Sequence, residues 1–336
     1  MLNFAEFQEY AKNHVKEYMP ESFGNAVVSI NTVNKNNGLQ LHGIVVRPEN
    51  SSIAPTIYLD GYFKKYEAGS NLDELMSDIA DVAVTHAKAP GYSENIAEQF
   101  KNFDYVKDKV IMAAVNVEKN EEMLMDTPHT MVEDLALIYK VALGSDADGM
   151  ATITIKDDHL AYWGVTTEEL HSLAMENSNR IVPATLRSMN DIMMGMMGED
   201  MPEEVVAAIM ADMPAENQMY VISNANNVNG AAAMFYSNEL EKLADKIGTD
   251  LYILPSSVHE CIAVSTEMGS PEMLAEMVQE VNGTQVSIEE QLSDHVYLYD
   301  AKAKSITLAD TSVEELGITS PTAAMDLNAS SRSTKH

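Results

Sequence analysis

The 336-residue chain has one cysteine, Cys261, so no internal disulfide framework can form. It also lacks any apolar run near the ~18 residues a membrane-spanning helix needs. Its opening residues, MLNFAEFQEYAKNHVKEYM, interrupt each apolar stretch with acids and amides, so no signal-peptide core is expected. These absences together point to the cytoplasm. Positive charge is scarce as well. The chain carries 21 Lys+Arg against 52 Asp+Glu, a formal net charge of −31. A surface of that sign repels phosphate backbones and anionic lipid head groups, so neither nucleic acid nor membrane is an expected partner. No phosphate-cradling glycine loop, HExxH helix, GxSxG elbow or paired CxxC occurs, and no cofactor or metal is expected. What remains is ordinary for a globular protein: 46% hydrophobic and 22% charged residues, which excludes disorder of the whole chain.

The charge is unevenly placed. Residues 1–50 hold five acids and four bases, nearly balanced. Between Lys246 and Lys302 there is no Lys or Arg, while ten acids occur: Asp250, Glu260, Glu267, Glu272, Glu276, Glu280, Glu289, Glu290, Asp294 and Asp300. A solvated face that keeps the protein soluble accounts for such a stretch; a surface for a basic partner is the sharper alternative.

Periodicity gives a mixed α+β chain. Phe4, Phe7, Ala11, Val15 and Tyr18 recur at three- and four-residue spacing behind an Asn3/Glu6 capping pair. Two β-like runs, 26–33 and 39–46, flank an Asn-Gly turn and read as a hairpin. A helix capped by Asn71 follows, with Leu72, Leu75, Ile79, Val82 and His86 on one stripe. Further β-like runs cover 110–117, 135–143 and 151–155, the last two around GSDADG, which fails as a calcium loop and reads as a turn. Thr166 and Glu169 form the clearest capping box. Trp163, the one tryptophan, is expected to cover a core edge.

Residues 188–214 hold eight of the 23 methionines. Core filling, an adaptable binding surface and thioether coordination of copper(I) all use Met-rich segments, in that order of preference here. Gly195, Gly198 and Pro202 argue for a broken helical connector. The expected organisation is therefore an α+β domain with an antiparallel sheet over 1–187, a connector over 188–216 and a smaller acidic α+β domain over 217–309. A disordered tail over 310–336 completes it. In the third segment, strands are expected at 219–223, 251–254, 258–264, 296–299 and 306–308. Helices are expected behind Asn238 and behind Ser270-Pro271.

Four stretches carry a resemblance: APTIYLDGYFKKYEAGSNLDELM (54–76), TITIKDDHLAYWGVTTEEL (152–170), NGAAAMFYSNELEKLADKIGTDLYILPSSVHE (229–260) and LSDHVYLYD (292–300). They are similar to an uncharacterised domain-of-unknown-function family of anaerobic gut bacteria of the Firmicutes type. The resemblance implies a bacterial cytoplasmic protein and brings no activity or site residue with it.

Chemistry-bearing side chains gather in one place: Ser256, Ser257, His259, Glu260 and Cys261, with Asp294 and His295 further on. His259, Cys261 and His295 are the candidate catalytic residues, as nucleophile with base or as part of a metal site. Ser256, Ser257, Glu260 and Asp294 are the candidate binding residues. If 258–264 is a strand, His259 and Cys261 share a face and Glu260 points the other way. The three catalytic candidates then meet only if the strands carrying them are neighbours. A cysteine beside a histidine on a sheet is more commonly packing. The leading expectation is a non-catalytic module that holds a basic protein partner through its acidic C-terminal region. The alternative is a hydrolytic or metal-assisted enzyme centred on His259 and His295.

Overall fold

A computed structural model of the chain describes residues 1–49, 54–86, 96–146, 149–197, 218–255 and 257–310. Most of the Met-rich connector (198–216), Ser256 and the tail beyond Asp310 lie outside the described residues. The described elements form an α+β fold. Contacts divide the chain into two units, Met1–Val106 with Leu143–Ala151, and Lys107–Ala142 with Thr152–His336. The junction expected at 187 falls inside a strand, β8 (Ala184–Ser188), which pairs with β9 (Tyr220–Asn224). Sheet pairing thus binds the residues on either side of the expected boundary into one unit.

In the first unit the helix Phe4–His14 starts at a reciprocal cap. Asn3 Oδ1 accepts the Glu6 N–H at 3.0 Å and Glu6 Oε2 accepts the Asn3 N–H at 2.9 Å. Phe7, Ala11 and Val15, spaced by four, are completely buried. β1 (Val27–Asn34) and β2 (Gln40–Arg47) pair antiparallel, with Val28 opposite Val46 and Ile30 opposite Ile44. The connection turns on two left-handed residues, Asn37 (φ 57°) and Gly38 (φ 68°), which asparagine and glycine tolerate best. β3 (Thr56–Tyr58) adds to β2. The helices Leu59–Glu67 and Leu72–His86 bring Leu59, Met76, Ile79 and Ala80 to the core that buries Phe7.

The second unit contains two sheets. In one, β4 (Val110–Asn116) pairs with β6 (Leu135–Asp146), which also pairs with β5 (His129–Val132) and β7 (Gly149–Thr154); the end of β6 and the start of β7 fall in the Leu143–Ala151 stretch counted with the first unit. β4 is buried at every position, which explains the apolar run of 110–115, and it ends on a buried Asn116. The helix Thr167–Ile181, opened by the Thr166/Glu169 capping box, donates no apolar residue at Ser178; instead that hydroxyl accepts the Met112 N–H at 3.1 Å. The other sheet has the order β13-β12-β10-β11-β9-β8, where β10 is Leu251–Leu254, β11 Cys261–Ser265, β12 Tyr297–Asp300 and β13 Ser305–Leu308. Its pairings are all antiparallel. The helix Pro271–Thr284 begins where Ser270 Oγ accepts the Met273 N–H at 3.3 Å, with proline in its first turn. It buries Leu274, Ala275 and Val278 against Leu254, Val264 and Val296.

Among the described residues no helix is long and apolar enough to cross a membrane.

Candidate functional site

The strand expected over 258–264 begins only at Cys261, so Ser257–Glu260 is a loop. Backbone bonding shows why. The Ser257 N–H donates to Glu260 O at 3.2 Å and closes the loop on itself. Val258 sends its N–H to Glu290 O (2.7 Å), and its carbonyl accepts the Ala231 N–H (3.1 Å), leaving nothing for a sheet partner. Ser257 Oγ then accepts the His259 N–H at 3.0 Å, a local turn bond. Alternation along a strand therefore does not govern His259, and the shared face expected for His259 and Cys261 does not arise from it.

His259 is held from three sides. The Asn229 N–H donates to its Nδ1 at 3.2 Å, which places the proton of the neutral ring on Nε2. Nε2 faces Glu290 Oε1 at 3.5 Å. The His259 carbonyl accepts from Ser223 Oγ at 2.7 Å. Asn229 reaches its position in a left-handed conformation (φ 52°), as does Asn227 (φ 52°). The buried Asn224 side chain braces this loop, donating to Val228 O at 2.9 Å and accepting the Asn226 N–H at 3.0 Å. Gly230 is required by proximity: a Cβ there would stand 2.5 Å from His259 O and 2.7 Å from Asn224 N.

Cys261 is completely buried on β11, opposite Ile222 of β9, with Sγ 3.9 Å from Met234 Sδ. Burial, followed by the charge of Glu260, pushes its thiol well above the ordinary range. That environment suppresses the thiolate a nucleophile needs. β10 lies between β11 and β12, so the strands following His259 and His295 are not neighbours.

His295 sits just before β12. Its Nδ1 lies 3.1 Å from Asp310 Oδ2, while Asp310 Oδ1 accepts the Val296 N–H at 3.2 Å. The Asp310 side chain is only 7% exposed and the His295 side chain 37%. Asp294 turns to other partners, accepting from Asn282 Nδ2 (2.9 Å) and from Lys119 Nζ (3.2 Å). Desolvation raises the Asp294 carboxyl, but the Asn282 and Lys119 contacts outweigh it and hold the group below its ordinary range. Asp134, which the sequence did not single out, anchors a third cluster: it accepts from Ser293 Oγ at 2.7 Å, from Asn116 Nδ2 at 3.2 Å and from the Tyr297 hydroxyl. Tyr297 is fully buried, and desolvation together with Asp134 raises its phenol well above the ordinary value.

Eight of the ten acids of the base-free stretch divide by what they contact. Asp294 is paired with Lys119 and Glu290 with His259. Asp250 Oδ1 accepts the Ala301 N–H at 2.9 Å, and Asp300 Oδ1 accepts those of Lys302 (2.8 Å) and Ala303 (2.7 Å), so both serve turns. Glu267, Glu272, Glu276 and Glu280 are exposed. Three of these four stand on one helix, Pro271–Thr284, at four-residue spacing.

Among the described residues no group of three or more His, Cys, Asp and Glu side chains is arranged to hold a metal ion. A cavity of about 380 Å³ lies elsewhere in this unit, lined in part by Ser188, Asp191, Tyr220, Lys242 and Lys246.

No curated protein and no solved structure matches the chain. The model of a family of unknown function, DUF5688, matches residues 4–301, and the chain belongs to that family.

Proposed function

We propose that the protein is a non-catalytic interaction module that holds a basic protein partner through its acidic C-terminal surface, in the cytoplasm of an anaerobic gut bacterium. The observation that carries this reading is the row Glu272, Glu276 and Glu280, all exposed on the outer side of the helix Pro271–Thr284. Adjacent turns of one helix place these carboxylates about 6 Å apart. No Lys or Arg of the 247–301 stretch offsets them. Such a row raises the encounter rate with a basic surface and sets a steep dependence on salt. The candidate catalytic residues favour the same reading. Both ring nitrogens of His259 already face a partner, and Cys261 is buried.

The test is binding of an oligo-lysine peptide to the full chain at low and high salt, compared with Glu272→Gln/Glu276→Gln/Glu280→Gln. The triple variant should bind about ten-fold more weakly and lose most of the salt dependence. Equal affinity and equal salt slope would remove the acidic surface from consideration.

One observation favours hydrolytic chemistry as a second reading. His295 Nδ1 contacts a nearly buried carboxylate, Asp310, and so turns Nε2 away from it, the orientation used by a general base. His295→Gln, whose amide can still donate to Asp310, should then abolish any esterase or peptidase activity found in the purified protein, with circular dichroism showing that the fold is kept.

A further inference from the structure

The helix Pro271–Thr284 carries a second exposed row beside its acids. Met273, Met277 and Val281 are 45%, 45% and 41% exposed. They recur at four-residue spacing, one residue after Glu272, Glu276 and Glu280 respectively. At about 100° per residue the two rows run parallel up the helix, one beside the other. The inward side is occupied by Leu274, Ala275, Val278 and Asn282. This helix thus buries one apolar face and leaves another in water.

We propose that this outer face receives a basic amphipathic helix of a protein partner, an inference that rests on the interaction reading above and names the partner's chemistry. Three arguments select that occupant. A continuous row of residues four apart is the ridge by which helices pack, so a second helix can lay its own ridge alongside, crossing at about −50°. Methionine suits such a surface because its unbranched, polarizable side chain adapts to the shape laid on it. The parallel glutamate row requires the partner to bring Lys or Arg on the flank of its apolar stripe. Among the described residues no ion pair engages Glu272, Glu276 or Glu280 from within the chain. The same row argues against a second copy of this chain, which would set Glu against Glu, and against an anionic lipid surface.

The experiment uses the full chain and two labelled peptides of about 18 residues, built from Leu and Lys only. One places Leu along a single helical face and the other has the same composition in scrambled order. Fluorescence anisotropy should show the amphipathic peptide binding about ten-fold more tightly than the scrambled one. In Met273→Ser/Met277→Ser that preference should vanish while binding of the scrambled peptide is unchanged. Nearly half of each side chain is exposed and neither belongs to the buried core, and circular dichroism verifies that the variant keeps the fold. In Glu272→Gln/Glu276→Gln/Glu280→Gln both peptides should weaken about ten-fold. Equal binding of the two peptides, or a methionine variant that keeps the preference, overturns the helical partner. If the glutamate variant still weakens both peptides in that case, the acidic-surface reading survives alone. If the glutamate variant changes nothing, that reading falls with it. A concentration-dependent dimer in sedimentation, dissolved by the methionine variant, would assign the face to self-association and also overturn the proposal.

Discussion

Two rows of apolar side chains in this protein have the same spacing and opposite fates. Phe7, Ala11 and Val15 occupy successive turns near the N-terminus and are completely buried. Met273, Met277 and Val281 occupy successive turns of the helix Pro271–Thr284 and are each more than 40% exposed. Periodicity alone treats the rows alike. The difference lies in what else each helix offers. The first has a single apolar face, and Leu59, Met76 and Ile79 close over it. The second has two, and Leu274, Ala275 and Val278 already satisfy the contacts with Leu254, Val264 and Val296. An apolar row becomes core when it is the only face a helix can bury. When a better face exists, the same pattern is left for solvent or for a partner.

The largest effect that tests this contrast is on stability. Phe7→Ala should cost about 3–5 kcal/mol, since it removes an aromatic ring from a closed core and leaves a cavity. Met277→Ala should cost far less, about 1 kcal/mol or below, because its side chain is 45% exposed and its truncation leaves no closed cavity. Urea unfolding measures both, and comparable losses would show that the two rows share one kind of environment. Next in size is Gly230→Ala. Its methyl would stand 2.5 Å from His259 O and 2.7 Å from Asn224 N, both backbone-fixed atoms, so the loop holding His259 must shift. The expected cost is about 1–3 kcal/mol. The imidazole resonances of His259 should move with it. A variant of unchanged stability and unchanged His259 shifts would mean that the loop yields without strain.

Much of the fold was legible wherever a local rule decides alone. The Asn3/Glu6 and Thr166/Glu169 boxes, the Asn-Gly turn at Asn37-Gly38 and the Ser270-Pro271 start are each complete within a few residues, and each is present. The strands β3, β5 and β8 were not legible. Each is an edge strand whose few residues mix polar with apolar side chains, whereas the equally short β10 is an apolar run; their sheet neighbours supply the reason they are extended. The candidate site was less legible still. His259 depends on a backbone N–H of Asn229 and on a glutamate 31 positions away, Glu290. Neither leaves a pattern near His259. The run NANNVNG did hold a clue, since asparagines crowded before a glycine mark left-handed backbone, and Asn227 and Asn229 adopt it. Asp134 gave no signal because its partners, Ser293 and Tyr297, lie more than 150 residues away.

The smallest effect concerns a histidine on the buried side of the same contrast. His171 lies on the helix Thr167–Ile181 with Nδ1 at 3.1 Å from the Tyr139 hydroxyl, which in turn meets Thr130 Oγ1 at 2.6 Å. Burial lowers the imidazole below its ordinary value and pushes the Tyr139 phenol up to about 12. As pH falls through the ordinary histidine value of ~6.5, the unfolded chain takes up a proton that the folded protein resists. Stability therefore declines across that window, and the decline ends once the folded ring is protonated too. Because the ring is only partly enclosed, the change should be smaller than that of Phe7→Ala or Gly230→Ala. Unfolding free energies from about pH 7 to about pH 5 should slope less steeply in His171→Gln than in wild type. Parallel slopes would mean that the ring titrates alike in the folded and unfolded chains, and that the Thr130–Tyr139–His171 chain of contacts is open to water.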